Sequence, residues 1–248
     1  GGYRCWAVDM RGHGASGPSP TRRYDDWDLA AADLLAVVDA LPTASGGVAG
    51  VGHSFGAATL VLAEQARPGT FAALWCYEPI IRSDEVAAAP GDPSIGDVAR
   101  HRRNRFDSAA AAVARFAPKP PFRTWAPGLL EAYVATATRP TPDGVELVLS
   151  GPEEATCYEG AGRHGAWPGL ATLGLPVTVA AAPLETGGPA TWAQAVADAI
   201  PAGRFRRFAG LTHFGPLEQP AVVAAAISDD LGAMGFPGRS TGAVTPPR

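Results

Sequence analysis

Val48-Ala49-Gly50-Val51-Gly52-His53-Ser54-Phe55-Gly56-Ala57-Ala58 decides how the rest of the chain is read. A short β-branched run meets a serine with glycine two residues away on either side, and an alanine-rich helical pattern follows at once. That is strand, sharp turn, helix. Such a turn strains the serine backbone, and Gly52 and Gly56 are expected to let strand and helix approach without side-chain clashes. The hydroxyl of Ser54 then stands at the top of a sheet. The backbone N–H of Phe55 aims at the space above it, where an oxyanion forms when a carbonyl is attacked. A bare G-x-S-x-G string is a weak signal among 30 glycines, because a tight strand-to-helix turn of any α/β protein carries it equally well. The surrounding chain has to discriminate.

Composition narrows the choice. With 248 residues, 46% hydrophobic and 18% charged, the chain suffices for a sizeable core and reads as one globular unit with an insertion. Lys plus Arg number 20 against 24 for Asp plus Glu, a net charge of −4. Nothing in that balance attracts nucleic acid or an anionic membrane, so the expected partner is a small molecule. Cys5, Cys76 and Cys157 are few, odd in number and far apart, which predicts free buried thiols in a reducing, cytoplasmic setting. No metal-ligand spacing appears, no cofactor is implied, and oligomeric state has no signature. No run of 18 or more apolar residues suggests a membrane span. The chain opens Gly1-Gly2-Tyr3 rather than with methionine, which leaves an upstream targeting segment open.

Taken in order, Arg4-Cys5-Trp6-Ala7-Val8 reads as a buried strand, and Asp9-Met10-Arg11-Gly12-His13-Gly14-Ala15-Ser16 as a loop tied together by its own hydrogen bonds. Asp25 or Asp26 caps a helix with Trp27, Leu34, Leu35, Val38 and Leu41 on roughly one face. That is the crossover a parallel sheet requires. Past the serine turn, the helix Ala57 to Ala66 leads to an apolar strand, Phe71 to Tyr77, which puts Glu78 at a strand's carboxyl end, where α/β sheets place their sites.

The D-x-R-G-x-G-x-S loop and the serine turn together resemble the loop after the fourth strand and the nucleophile elbow after the fifth strand of the α/β-hydrolase family. The fold this implies is α/β, with a mostly parallel sheet and an inserted helical cap. The core is expected over 1–80 and 171–235, the cap over 81–170, and a disordered tail over 236–248. Within the cap, Ser94 to Phe106, Ser108 to Phe116 and Pro127 to Ala137 read as helices. Phe106, Phe116, Phe122, Trp125, Tyr133 and Trp167 either wall an apolar pocket or fill the cap's own core. His101-Arg102-Arg103-Asn104-Arg105 reads as a solvated helix face, and His53 within the elbow as structural.

The core resumes with the buried strand Leu175 to Ala182, followed by Glu185 on the loop where the family carries its triad acid, usually Asp. Glu78 is the alternative acid. A helix from Trp192 to Ile200 and an edge strand Arg204 to Phe208 precede His213, which stands before a proline-started helix (Ala221 to Leu231). Serine is a poor nucleophile at neutral pH. It needs a base in hydrogen-bond reach, and the base needs a carboxylate to fix its tautomer. Ser54, Glu185 and His213 run in the order the resemblance implies.

The implied activity is hydrolysis of a carboxylic ester, or an amide, thioester or C–C bond, of a small apolar substrate through an acyl-enzyme. The other reading is a non-catalytic ligand-binding protein or an inactive fragment on the same fold. The family's third strand and second oxyanion donor lie upstream of Gly1, so the chain is expected to lack its first strands. Arg4 to Val8 would then be unpaired, at about 1 to 3 kcal/mol per buried orphan group.

Overall fold

Residues 2–42, 47–83, 94–236 and 238 are described by a computed structural model. The centre of the fold follows from the sequence Ala-Leu-Trp-Cys-Tyr at β2 (Ala73–Tyr77), which is buried at every position. A strand apolar on both faces must be covered on both faces. Leu74 and Cys76 join the larger core with Val177, Val179 and Ala181, while Trp75 and Tyr77 join a second cluster with Ala180, Phe208 and Val223.

The elements run α1 (Trp27–Ala40), β1 (Ala49–His53), α2 (Phe55–Ala66), β2, α3 (Ser94–Arg100), β3 (Arg105–Phe106), α4 (Ala109–Phe116), α5 (Leu129–Ala137), β4 (Thr138–Thr141), β5 (Gly144–Leu147), α6 (Gly151–Gly160), β6 (Val177–Ala181), α7 (Ala193–Asp198), β7 (Gly203–Arg207), α8 (Gly215–Glu218) and α9 (Pro220–Ala233). A four-stranded parallel sheet has the order β1-β2-β6-β7, with helices on both sides. Its register pairs His53 with Tyr77, and Tyr77 with Ala180. Helix α1 is capped by Asp26, whose carboxylate accepts from Leu29 N at 3.1 Å, and α2 is almost wholly buried beneath the sheet. No helix among the described residues is long and apolar enough to cross a membrane.

Two expectations are corrected. Arg4 to Val8 form no strand: they run without regular structure, with Trp6 50% and Val8 37% exposed, and Cys5 is exposed with them. No described strand lies alongside them, so their N–H and C=O groups gain nothing from an extended ladder. The segment between β2 and β6 is also not purely helical. It holds a second, antiparallel sheet of order β3-β5-β4, and the helix expected from Ser94 to Phe106 stops at Arg100. The turn Pro142-Asp143-Gly144 between β4 and β5 is a hairpin signal. Gly144 is required there, because at φ +143 a Cβ would fall 2.2 Å from the Phe106 carbonyl.

The basic cluster is accordingly no helix face. Arg105 and Arg139, on the outer strands, both pair with Glu146 on the middle one, Arg103 pairs with Asp107, and Arg102 bridges to Glu154. Five of the six aromatics, Phe106, Phe116, Phe122, Trp125 and Tyr133, gather in this segment's own core, whereas Trp167 packs on the main one. The tail expected from residue 236 lies outside the described residues apart from Phe236 and Gly238.

The turn from α2 into β2 depends on one buried carboxylate. Glu64 is 3% exposed and accepts from Gly69 N at 2.7 Å and Phe71 N at 3.0 Å. Glu64→Ala leaves the buried Phe71 N–H unpaired and is expected to lower stability by about 1 to 3 kcal/mol, read from the midpoint of urea unfolding. Glu64→Gln retains an acceptor and should lose less.

Candidate active site

Ser54 follows the last residue of β1 with φ 55° and ψ −117°, outside the helical region, and α2 begins at the next residue. Its N–H donates to Tyr77 O at 2.9 Å, which ties the elbow to the neighbouring strand. Strand and helix meet most tightly at Gly52, where a Cβ would lie 2.7 Å from both Cα and N of Ala57. Gly56 differs from its expected role. A Cβ there meets nothing within 4 Å, because that position faces away from the strand–helix contact. Phe55 is the first residue of α2, where an N–H has no intrahelical acceptor, and its ring takes the edge of Trp27 at 4.7 Å.

One strand over, Glu78 follows the last residue of β2, also with a positive φ of 45°. It is fully buried. Its N–H donates to Ala180 O at 2.8 Å, and its Oε1 accepts from Ala182 N at 2.8 Å, so backbone and side chain are both fixed to the end of β6. The remaining carboxylate oxygen, Oε2, lies 2.6 Å from His213 Nδ1, and His213 Nε2 lies 3.1 Å from Ser54 Oγ. With the ring proton on Nδ1 donated to Glu78, the Nε2 lone pair is left to accept from the serine hydroxyl. A hydroxyl, an imidazole and a buried carboxylate thus form one hydrogen-bonded line at the carboxyl ends of β1 and β2.

Glu185, the acid expected from the sequence, stands elsewhere. It is exposed on the short turn Leu184–Thr186 after β6, and the carboxylate on His213 is that of Glu78. The two acids follow neighbouring parallel strands, so chain order does not separate them. The left-handed backbone at Glu78, which turns its side chain toward His213, does. Asp9, Arg11 and His13 hold their loop as expected: Asp9 Oδ2 accepts from Ala15 N, Arg11 pairs with Asp33 across to α1, and His13 Nδ1 lies 3.1 Å from Arg11 O.

The loop bearing His213 is buttressed by His53, read from the sequence as structural, and by Glu218, Thr124 and Tyr77, which no sequence signal singled out. Glu218 accepts from Thr212 N at 2.8 Å and Thr212 Oγ1 at 2.7 Å, and also from Thr124 Oγ1 at 2.7 Å in the inserted segment. Tyr77 Oη donates to Thr212 O, and His53 Nε2 to His213 O, each at 2.8 Å. Burial, with the neighbouring His213 adding to it, pushes the His53 pKa down to about 3. Its ring is therefore a neutral N–H donor. His164, which carried no sequence signal, stacks on Trp27 at 4.7 Å and meets Ile80 O through Nε2.

Comparison with known proteins agrees with this architecture. The family described as "Alpha/beta hydrolase family" matches residues 1–226, and the chain belongs to it. Among solved structures, E-2-(acetamidomethylene)succinate hydrolase is 19% identical, with a TM-score of 0.69, covering 91% of this chain and 80% of its own. The thioesterase domain from the curacin biosynthetic pathway is 18% identical, with a TM-score of 0.68 over 88% and 78% of the two chains. A thermophilic esterase from Thermogutta terrifontis is 19% identical, with a TM-score of 0.62 over 91% and 78%. At these identities the likeness is one of fold. A search of curated proteins found no match.

Two outcomes follow from the elbow. Gly52→Ala should cost about 1 to 3 kcal/mol through overpacking against Ala57, whereas Gly56→Ala should hold or raise the melting temperature. The partly buried His53, desolvated by its surroundings, also makes stability depend on pH. Its pKa falls from 6.5 to about 3 on folding, so between those values the unfolded chain binds more protons and stability drops as pH drops. Thermal melts of the native chain should therefore fall more steeply from pH 6.5 to 4 than those of His53→Leu.

Proposed function

We propose that this chain is a serine hydrolase acting on a carboxylic ester of a small apolar substrate, with amides, thioesters or activated C–C bonds as related substrates. The observation that carries this reading is the line from Ser54 Oγ through His213 to Glu78, at 3.1 and 2.6 Å. In this mechanism His213 Nε2 takes the hydroxyl proton as Ser54 Oγ attacks the carbonyl carbon. Glu78 keeps the imidazole in the required tautomer and stabilises the imidazolium that forms. The Phe55 N–H faces the developing oxyanion. Collapse of the tetrahedral adduct expels the alcohol, which receives the proton from His213. Water then attacks the acyl-enzyme with His213 again as base, releasing the carboxylic acid and restoring Ser54.

Glu78 takes the acid's role here in place of Glu185. It is buried, its other oxygen is fixed by Ala182 N, and among the described residues no competing partner draws Oε2 from the imidazole. The inserted segment acts as a cap. Its Trp125 lies 6.1 Å from Phe214, the neighbour of His213, and Ala126 N donates to Leu217 O at 2.8 Å. That position brings an apolar wall beside the base, and the apolar substrate class rests on it.

The test is covalent labelling by a fluorophosphonate together with hydrolysis of p-nitrophenyl esters. The label is expected on Ser54 and is expected to vanish in Ser54→Ala and His213→Ala. Glu78→Gln should lower kcat by roughly a thousand- to ten-thousand-fold, as loss of a triad acid does, while Glu185→Gln leaves turnover within a small factor. Retained turnover in Ser54→Ala would sink the reading. A collapse in Glu185→Gln alone would return the acid to the loop after β6.

A further inference from the structure

His213 sits on a stretch that belongs to neither strand nor helix: Leu211 to Phe214 lie between β7 and α8 without a ladder of their own. Its ring needs a position defined to a fraction of an ångström against two partners on different strands, so something outside the loop must hold the backbone. Two successive carbonyls of this stretch are held from below. Thr212 O accepts from Tyr77 Oη at 2.8 Å and His213 O accepts from His53 Nε2 at 2.8 Å.

The donors are themselves a pair. His53 and Tyr77 are the last residues of β1 and β2, are register partners in the parallel sheet, and set their rings edge to face at 5.8 Å. Gly215 makes room for the Tyr77 contact, since a Cβ there would fall 2.4 Å from Tyr77 Oη. The residues that immediately follow this pair are Ser54 and Glu78.

Resting on the reading of Ser54, His213 and Glu78 as a triad, we propose that His53 and Tyr77 are positioning residues. As a two-point clamp on the backbone of residues 212 and 213, acting beside the bonds of Thr212 to Glu218 and Gly215, they hold the imidazole in place relative to both partners. The same strand ends thereby carry the nucleophile, the acid and the anchors of the base. No proton of either clamp residue enters the reaction. Tyr77 is fully buried and His53 partly so, which limits the access of water to the two donors, and a hydrogen bond in such surroundings holds its geometry firmly. Losing one anchor lets the His213 backbone drift, and misplacement of about 1 Å at a reacting group costs about a hundredfold in rate.

The experiment uses the full chain with p-nitrophenyl ester hydrolysis, the rate constant for fluorophosphonate labelling, and thermal melting. In His53→Leu, kcat and the labelling rate are expected to fall together by about 10- to 100-fold, with KM changed less than about threefold. In His53→Gln the amide N–H can reach the same carbonyl, and most of the loss should be recovered. Tyr77→Phe removes one oxygen and should lower kcat in the same direction with KM held.

A folded His53→Leu or Tyr77→Phe with native kcat overturns the proposal. So does a His53→Gln that falls as far as His53→Leu at equal melting temperature. If His53→Leu does not fold, Tyr77→Phe decides alone. Turnover that disappears in Ser54→Ala but is untouched in the clamp variants defeats only this inference, whereas turnover that survives Ser54→Ala defeats the hydrolase reading beneath it.

Discussion

Two parallel strands in register, each followed at once by a residue of positive φ, set the geometry of this molecule. Ser54 and Glu78 have φ values of 55° and 45°, in a region that L-residues other than glycine enter at a cost of order 1 to 3 kcal/mol. Neither is a glycine. Each conformation persists because the surroundings over-determine it: Ser54 N is bound to β2, Glu78 N is bound to β6, and α2 begins directly beyond the serine. The strain lifts two polar side chains out of their strands and turns them toward one imidazole.

Packing follows from the same pair of strands. β2 is apolar on both faces and so divides the core, with α1, α2 and α7 on one side and α9 on the other. The glycines of β1 permit this. At Gly50 a Cβ would collide with Leu60 and Leu74, and at Gly52 with the backbone of Ala57, so α2 lies against the sheet more closely than any side chain would allow. The close approach places the start of α2, with its unbonded N–H groups, directly beside Ser54.

Much of this was legible in the sequence because it is local. The elbow, the crossover helix capped by Asp25 or Asp26, the buried strands β2 and β6, and the histidine after the final strand all leave marks within a dozen residues. What was not legible is contact between distant segments. Nothing near Glu78 or Glu185 says which carboxylate meets His213; a backbone angle at Glu78 and the spacing of β2 and β6 decide it. The sheet β3-β5-β4 was missed for a different reason, since its Pro142-Asp143-Gly144 turn was visible but its strands are only two to four residues long. Arg4 to Val8 carry a strand composition and form none, because composition does not supply a neighbour to pair with.

Glu78 also joins parts of the chain that are far apart in synthesis order. Its strand pairs Leu74 with Val177, with the whole inserted segment looped out between them, and its carboxylate reaches further still, to His213. Closing loops of that size is entropically slow compared with local structure. Helices such as α1 and α2 can therefore assemble well before the hydrogen-bonded line is complete. The line of Ser54, His213 and Glu78 depends on such closures, across 159 and 135 residues, so a chain can hold nearly all its regular structure and still lack the alignment at its rim.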